Sequence, residues 1–282
     1  MNSTSPKRTP DSELNLAARH PDRQTFLNIN ETESERVRNC HKCFLEVAYG
    51  EDPLQRMDIF PSPVVNSPIL VFIHGGYWRS LDKKSYSFVA EAFVAKNVTV
   101  AVINYRLIPT VDMLRLLQDV KDSVEFIQKH ATDYNGNPSQ IALSGHSAGG
   151  HLALMTYLMN PSMQPSVPAI CSLSGIFDLN AIRHSYLSDD TLQLSPDDVG
   201  QFSASNKDLA AVKCSTLIAV GGGETTFFVE ESKKIAKARP SFRYHEYDNL
   251  NHYQIVHLLG AFQQDDVMIP FLLEKLLGSK ES

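Results

Sequence analysis

The 282-residue chain predicts an α/β fold: a mostly parallel sheet, led by an antiparallel hairpin, with helices on both faces. Three observations predict it. Residues 69–73 (ILVFI) form a continuous apolar run, the pattern of a strand buried on both faces. From there to the C-terminus, strand-like and helix-like segments alternate, which implies parallel strands with crossover helices. Ahead of it, the runs 43–49 (CFLEVAY) and 54–60 (LQRMDIF) flank Gly50-Glu51-Asp52-Pro53, and turn formers between strands signal a hairpin.

Taken in order, a helix is expected over 85–96 and a strand over 98–104. A long helix follows over 112–130, where Met113, Leu116, Leu117, Val120, Val124 and Ile127 recur at helical spacing between polar residues. Next come a short strand over 139–143, a helix from Ala148 to Tyr157 and a strand over 168–174. The strand 215–220, a helix near 226–238, the strand 241–247 and a mostly helical tail over 253–278 complete the pattern. The stretch 178–212 is too long for a plain connection and is expected to cross the C-terminal edge of the sheet as a small cap. Open α/β sheets bind ligands at that edge.

Composition limits the partners. Hydrophobic residues make up 43% of the chain, enough for a sizeable core, and the net charge is -6. An acidic balance argues against nucleic acid, whose phosphates need a positive footprint. No apolar run reaches the roughly 18 residues of a membrane span, so no membrane partner is expected. The N-terminus lacks an apolar secretory core. Residues 1–30, rich in Ser, Asn, Asp, Arg and Pro, are expected to form a mobile or partly helical arm, with 31–282 as one domain. Cys40 and Cys43 have zinc-like spacing, but no second pair completes a ligand set, so no metal is expected. Reduced thiols and a cytoplasmic location fit the four cysteines. Size and a helical C-terminus suit a monomer or a homodimer equally.

Chemistry concentrates in four places. Gly145-His146-Ser147-Ala148-Gly149 matches G-x-S-x-G between a predicted strand and a predicted helix. A sharp turn there lifts a nucleophilic serine, Ser147, above the sheet at a helix N-terminus. His74-Gly75-Gly76-Tyr77-Trp78 follows the buried strand 69–73, where an oxyanion hole is expected. Its donors are assigned to the amides of Gly76, Tyr77 and Ala148, with Gly75 shaping the loop. His74 is read as bracing the loop. The general base must come late, after the last strand: His252 fits, His257 lies one turn further on, and His245 falls inside the strand. Glu224, in Gly221-Gly222-Gly223-Glu224, is the first carboxylate after the strand 215–220 and is assigned as the acid that orients the base. Asp248 and Asp178 are the alternatives. Trp78, Tyr186, Leu187 and Phe228, with Tyr77, are assigned to the substrate pocket, although Trp78 suits core packing equally.

With these residues in hand, the chain resembles the arylformamidase (kynurenine formamidase) family of α/β-hydrolases and its bacterial esterase-like relatives. The resemblance rests on HGGYW at 74–78, GHSAGGHLA at 145–153, SGIFDL at 174–179, GGGETTFF at 221–228 and NHYQIV at 251–256. The lead-in VAYGEDPLQRMDIF at 47–60 fits as well. It implies an α/β-hydrolase fold and hydrolysis of N-formylkynurenine, with Ser147 as nucleophile, Glu224 as acid and His252 as base. Animal formamidases carry aspartate at the acid position, whereas the glutamate here is shared with bacterial esterases. The expected activity is therefore acyl transfer to water, without a cofactor, from a small-molecule formamide or ester. A carboxylesterase for small acyl groups is the alternative, and a hydrolase-like binding protein a third. Activity is expected to rise as the histidine loses its proton, near pH 6–7.

Overall fold

The computed structural model of the protein describes residues 8–278. Its strands are β1 (Phe44–Ala48), β2 (Arg56–Phe60), β3 (Ser67–Ile73), β4 (Thr99–Ile103), β5 (Gly136–His146), β6 (Ala169–Leu173), β7 (Ser215–Gly221) and β8 (Phe242–Tyr247). They form one eight-stranded sheet in the order β1-β2-β4-β3-β5-β6-β7-β8. β1–β2 and β2–β4 are antiparallel, and every later pairing is parallel.

The helices are α1 (Pro10–Leu14), α2 (Leu16–Arg19), α3 (Arg23–Cys40), α4 (Val89–Val94), α5 (Met113–Lys129), α6 (Ala148–Met159), α7 (Leu179–Arg183), α8 (Pro196–Phe202), α9 (Thr226–Lys237) and α10 (Met268–Leu277). Side chains alternate across the pleat, so β3 feeds two cores. Ile69, Val71 and Ile73 pack with the apolar faces of α5 and α6, while Leu70 and Phe72 pack with α4 and α10. That two-sided burial is why the strand reads as an unbroken apolar run. Each such side chain removed from water contributes about 1.5–3 kcal/mol. α5 buries the six apolar residues its periodicity singles out, and Asp112 caps it by accepting from the Arg115 amide at 2.7 Å.

Several expectations need correction. The helix expected over 85–96 is shorter: a 3-10 turn at Lys83–Ser85 precedes α4. The tail is helical only at its two ends, in a 3-10 turn at Ile255–Leu259 and in α10. Between them Asp265 accepts from the Val267 amide at 3.2 Å and from the Tyr247 hydroxyl at 2.5 Å, which holds a polar loop against β8. Of the two forms expected for the N-terminal arm, the described part takes the partly helical one: α1, α2 and the start of α3 fall within residues 10–30, the 30/31 boundary falls inside α3, and Leu14 and Leu16 are buried in the core. Residues 1–7 of that arm lie outside the described residues.

A buried polar knot ties the leading hairpin to the crossover between β4 and β5. Asp119 of α5 is fully buried and accepts from Gln55 Nε2 at 3.0 Å, the Arg106 amide at 3.0 Å and Arg106 Nε at 2.8 Å. Removing one member of a buried, hydrogen-bonded ion pair strands its partners. Asp119→Ala is expected to lower unfolding free energy by about 3 kcal/mol, read from urea denaturation. A loss within error of zero would show that water replaces the carboxylate.

Candidate active site

The loop after β5 makes the turn the motif requires. Ser147 sits at φ 57°, ψ -121°, a left-handed conformation that costs energy and persists only when its surroundings hold it. Its amide donates to the Leu173 carbonyl of β6 at 2.8 Å. The flanking glycines are demanded by space. A Cβ on Gly145 would stand 2.2 Å from the Gly149 carbonyl oxygen, and one on Gly149 would stand 2.1 Å from that of Ile73. α6 begins at Ala148, directly after the serine, so its N-terminal dipole faces the turn.

The HGGYW loop lies beside it. Gly76 has φ +105° and no room for a side chain, since a Cβ would meet the Ser80 carbonyl oxygen at 2.1 Å. Tyr77 and Trp78 follow at φ 49° and 58°. A Cβ on Gly75 would approach the Ser147 Cβ to 3.0 Å, so the missing side chain lets this loop rest against the serine. The amides of Gly76, Tyr77 and Ala148 find no acceptor among the described residues. Tyr77 is anchored through its hydroxyl, which donates to the Leu14 carbonyl at 2.8 Å. His74 braces the loop as expected. It donates from Nδ1 to the Gly75 carbonyl at 2.8 Å and stacks on Tyr105 with centroids 4.4 Å apart. Burial lowers its pKa to about 4, so it stays neutral.

The structure brings His252 and Glu224 together, with His252 Nδ1 2.6 Å from Glu224 Oε2. The other carboxylate oxygen accepts from the Gly221 amide at 2.9 Å and from the Ser174 hydroxyl. The glycine-rich loop explains the glutamate: the longer side chain folds back onto the end of its own strand. The rival groups are engaged elsewhere. Asp178 caps α7 by accepting from the Asn180 amide, and His257 Nε2 meets Asn30 Oδ1 at 2.6 Å. Asp248 makes no contact with His252 among the described residues.

Two supporting residues had no assigned role in the sequence. His146, the variable residue before the serine, donates from Nε2 to the His252 carbonyl at 2.8 Å. Burial holds its pKa well below the usual histidine range, so it acts as a neutral strut. Ser174, at the end of β6, orients Glu224. SGIFDL contained it, but only the strand order places it beside β7.

A cavity of about 210 Å³ is lined by Ser147, His252, Gly76 and Tyr77, and also by Leu16, Arg23 and Leu27 from α2 and α3. The pocket assignments are corrected accordingly. Trp78 is fully buried and packs edge-on to His151, with centroids 5.2 Å apart, in the core rather than on the cavity wall. Phe228 is also fully buried, with its ring 4.4 Å from that of His252, so it packs on that imidazole instead of facing the cavity. Leu187 belongs to the core, and the Tyr186 amide donates to Asp11 of α1 at 2.7 Å. None of residues 178–212 lines the cavity; the insertion reaches the surroundings of the site instead, through Thr191, which accepts from Arg79 Nη1 at 2.9 Å, and through Tyr186. The N-terminal helices are the cover, held by Glu13, whose carbonyl accepts from Thr225 Oγ1 at 2.9 Å and whose carboxylate accepts from the Phe227 amide at 2.8 Å. Their polar, irregular sequence carries no signal for that role.

A mostly parallel eight-stranded sheet with a strained serine at the β5–α6 turn, and a carboxylate–histidine pair on the β7 and β8 loops, defines an α/β-hydrolase. The BD-FAE family model matches residues 57–233, and the chain belongs to that family. Among curated proteins it is similar to the kynurenine formamidases of Danio rerio and Salmo salar. They are 26% and 27% identical, each over 87% of this chain and 85% of the relative. Among solved structures, a Silicibacter protein superposes with a TM-score of 0.84 at 22% identity, covering 93% of this chain and 98% of that one. The thermophilic carboxylesterase EstE1 from a metagenomic library follows at 0.65 and 14%, covering 84% and 90%. These superpositions agree with the fold expected from the sequence. No described helix is long and apolar enough to cross a membrane.

The neutral histidines around the site make stability depend on pH. His74 and His151 titrate at 6.5 when free but at about 4 in the buried state, where desolvation opposes the charge. Between those values the unfolded chain binds more protons than the folded one. Stability therefore falls as pH drops from 6.5 towards about 4. Thermal unfolding across that range should show the decline, and His151→Gln, which keeps a donor for the Phe202 carbonyl, should make it shallower. An unchanged slope in that variant would contradict the assignment.

Proposed function

We propose that the protein is a serine hydrolase that cleaves a formamide or carboxylic ester through an acyl-enzyme, with Ser147, His252 and Glu224 as its catalytic triad. The observation that carries this is the 2.6 Å bond from His252 Nδ1 to Glu224, in a histidine that lines the same cavity as the strained Ser147. With Nδ1–H donating to the carboxylate, Nε2 is left unprotonated to take the serine proton.

Ser147 Oγ attacks the substrate carbonyl as His252 Nε2 accepts its proton. Glu224 steadies the imidazolium that forms. The amides of Gly76, Tyr77 and Ala148 receive the developing oxyanion, each donor contributing about 2.7–4 kcal/mol in the transition state. His252 then returns the proton to the departing amine or alcohol, leaving an acyl-serine. Water repeats the cycle, with His252 as base, and releases the acid. For an N-formyl aryl amine the products are the free amine and formate.

Two substrate classes compete. Kynurenine formamidases related over most of the chain favour an aryl formamide. The glutamate at position 224 and the esterase relatives favour small acyl esters. Comparing kcat/KM for N-formylkynurenine and p-nitrophenyl acetate separates them: a formamide rate no better than background removes the first. Four free cysteines suit a reducing, cytoplasmic setting.

Ser147→Ala is expected to abolish labelling by a fluorophosphonate probe, and His252→Ala to lower kcat at least about a thousandfold with the fold intact. Glu224→Ala should cost less. Ser174→Ala should lower kcat about tenfold with KM unchanged, since it removes one hydrogen bond from a charged group. Wild-type protein that resists the probe would sink the proposal.

A further inference from the structure

The cavity that holds Ser147 and His252 is closed on one side by helices from outside the family match, and one of its lining residues there is Arg23, at the start of α3. The other walls are chiefly apolar or aromatic, including Leu16, Leu27, Tyr86, Tyr253 and Val256. Among the lining side chains only Arg23 is a permanent cation; desolvation keeps His146 neutral, and His252 already has a carboxylate partner in Glu224. Arg23 forms no ion pair with a carboxylate among the described residues; its Nη1 donates to the Ala17 carbonyl at 3.2 Å. Helix stability does not account for the residue, since a cation in the first turn opposes the helix dipole. Arg23 is partly buried as a residue, and a guanidinium without a counter-ion keeps its fork free for an anion.

Building on the hydrolase reading, we propose that Arg23 is a specificity-determining residue: it pairs with a carboxylate on the substrate, so preferred substrates join an apolar body to one carboxylate remote from the scissile carbonyl. The planar fork of arginine suits a carboxylate, which it can bind through two parallel hydrogen bonds. One cation in a cavity of about 210 Å³ matches a single negative charge on a small molecule. The N-terminal helices then do more than cover the serine: they supply the group that selects what reaches it.

The test compares phenyl acetate with 3- and 4-acetoxybenzoate, esters that differ by the carboxylate. In Arg23→Met, KM for the better acetoxybenzoate should rise about ten- to a hundredfold, with its kcat and both constants for phenyl acetate within about twofold of wild type. Arg23→Lys, which keeps the charge but not the fork, should recover part of the loss. Equal effects on charged and neutral esters, or none on either, would overturn the proposal. Wild-type protein that hydrolyses none of the three and is not labelled by a fluorophosphonate would remove the hydrolase reading, and the role of Arg23 with it.

Discussion

The close approach of three backbones at the end of the sheet is the constraint on which the site depends. α6 leaves β5 so sharply that neither Gly145 nor Gly149 has space for a single added carbon. That contact forces Ser147 into a left-handed conformation and points the start of a helix at the cavity. The parallel pairing of β5 with both β3 and β6 holds the turn from each side. The HGGYW loop then comes to rest against the serine without further adjustment, because β3 is the neighbour of β5 and Gly75 adds no bulk. A strained residue persists when its neighbours leave it nowhere else to go.

The carboxylate–histidine pair is assembled differently. Glu224 and His252 come from loops after adjacent parallel strands, so the register of β7 and β8 sets their separation. Each is held by groups at the ends of other strands: Ser174 on the carboxylate, and His146 on the backbone of His252. Phe228 packs on the imidazole and excludes water from that side. The result is a pair with little freedom to reorient, as preorganised stabilisation of charge requires.

The N-terminal helices give the site its outer boundary. Their attachment is specific: Glu13 reaches the start of α9, and Tyr77 reaches back to Leu14. A segment that lines the cavity beside Ser147 is therefore bonded to both the HGGYW loop and the loop bearing Glu224. Helices around residues 13 and 14 are thereby tied to loops around residues 77 and 225, far away in the chain.

Much of this was written locally in the amino-acid sequence. The apolar run 69–73, the helical spacing of Met113 to Ile127 and the turn residues at 50–53 each dictate their own element, because strand burial and helix amphipathicity are short-range patterns. Ser147, the glycine loop, Glu224 and His252 were legible for the same reason: each sits at a fixed offset from a strand end. The start of the 85–96 helix and the loop inside the tail were not, since side-chain hydrogen bonds, of Asp82 to the Lys84 amide and of Asp265 to the Val267 amide, override local propensity. Trp78 and Phe228 looked like pocket walls because an aromatic residue beside a motif carries no mark of which way it faces. Only packing turned both inward, and only packing laid the polar N-terminal helices over the serine. Local periodicity determined the elements, and motif offsets from strand ends marked the candidate site residues. Tertiary contact, which sums weak preferences over residues far apart in the chain, decided what surrounds them.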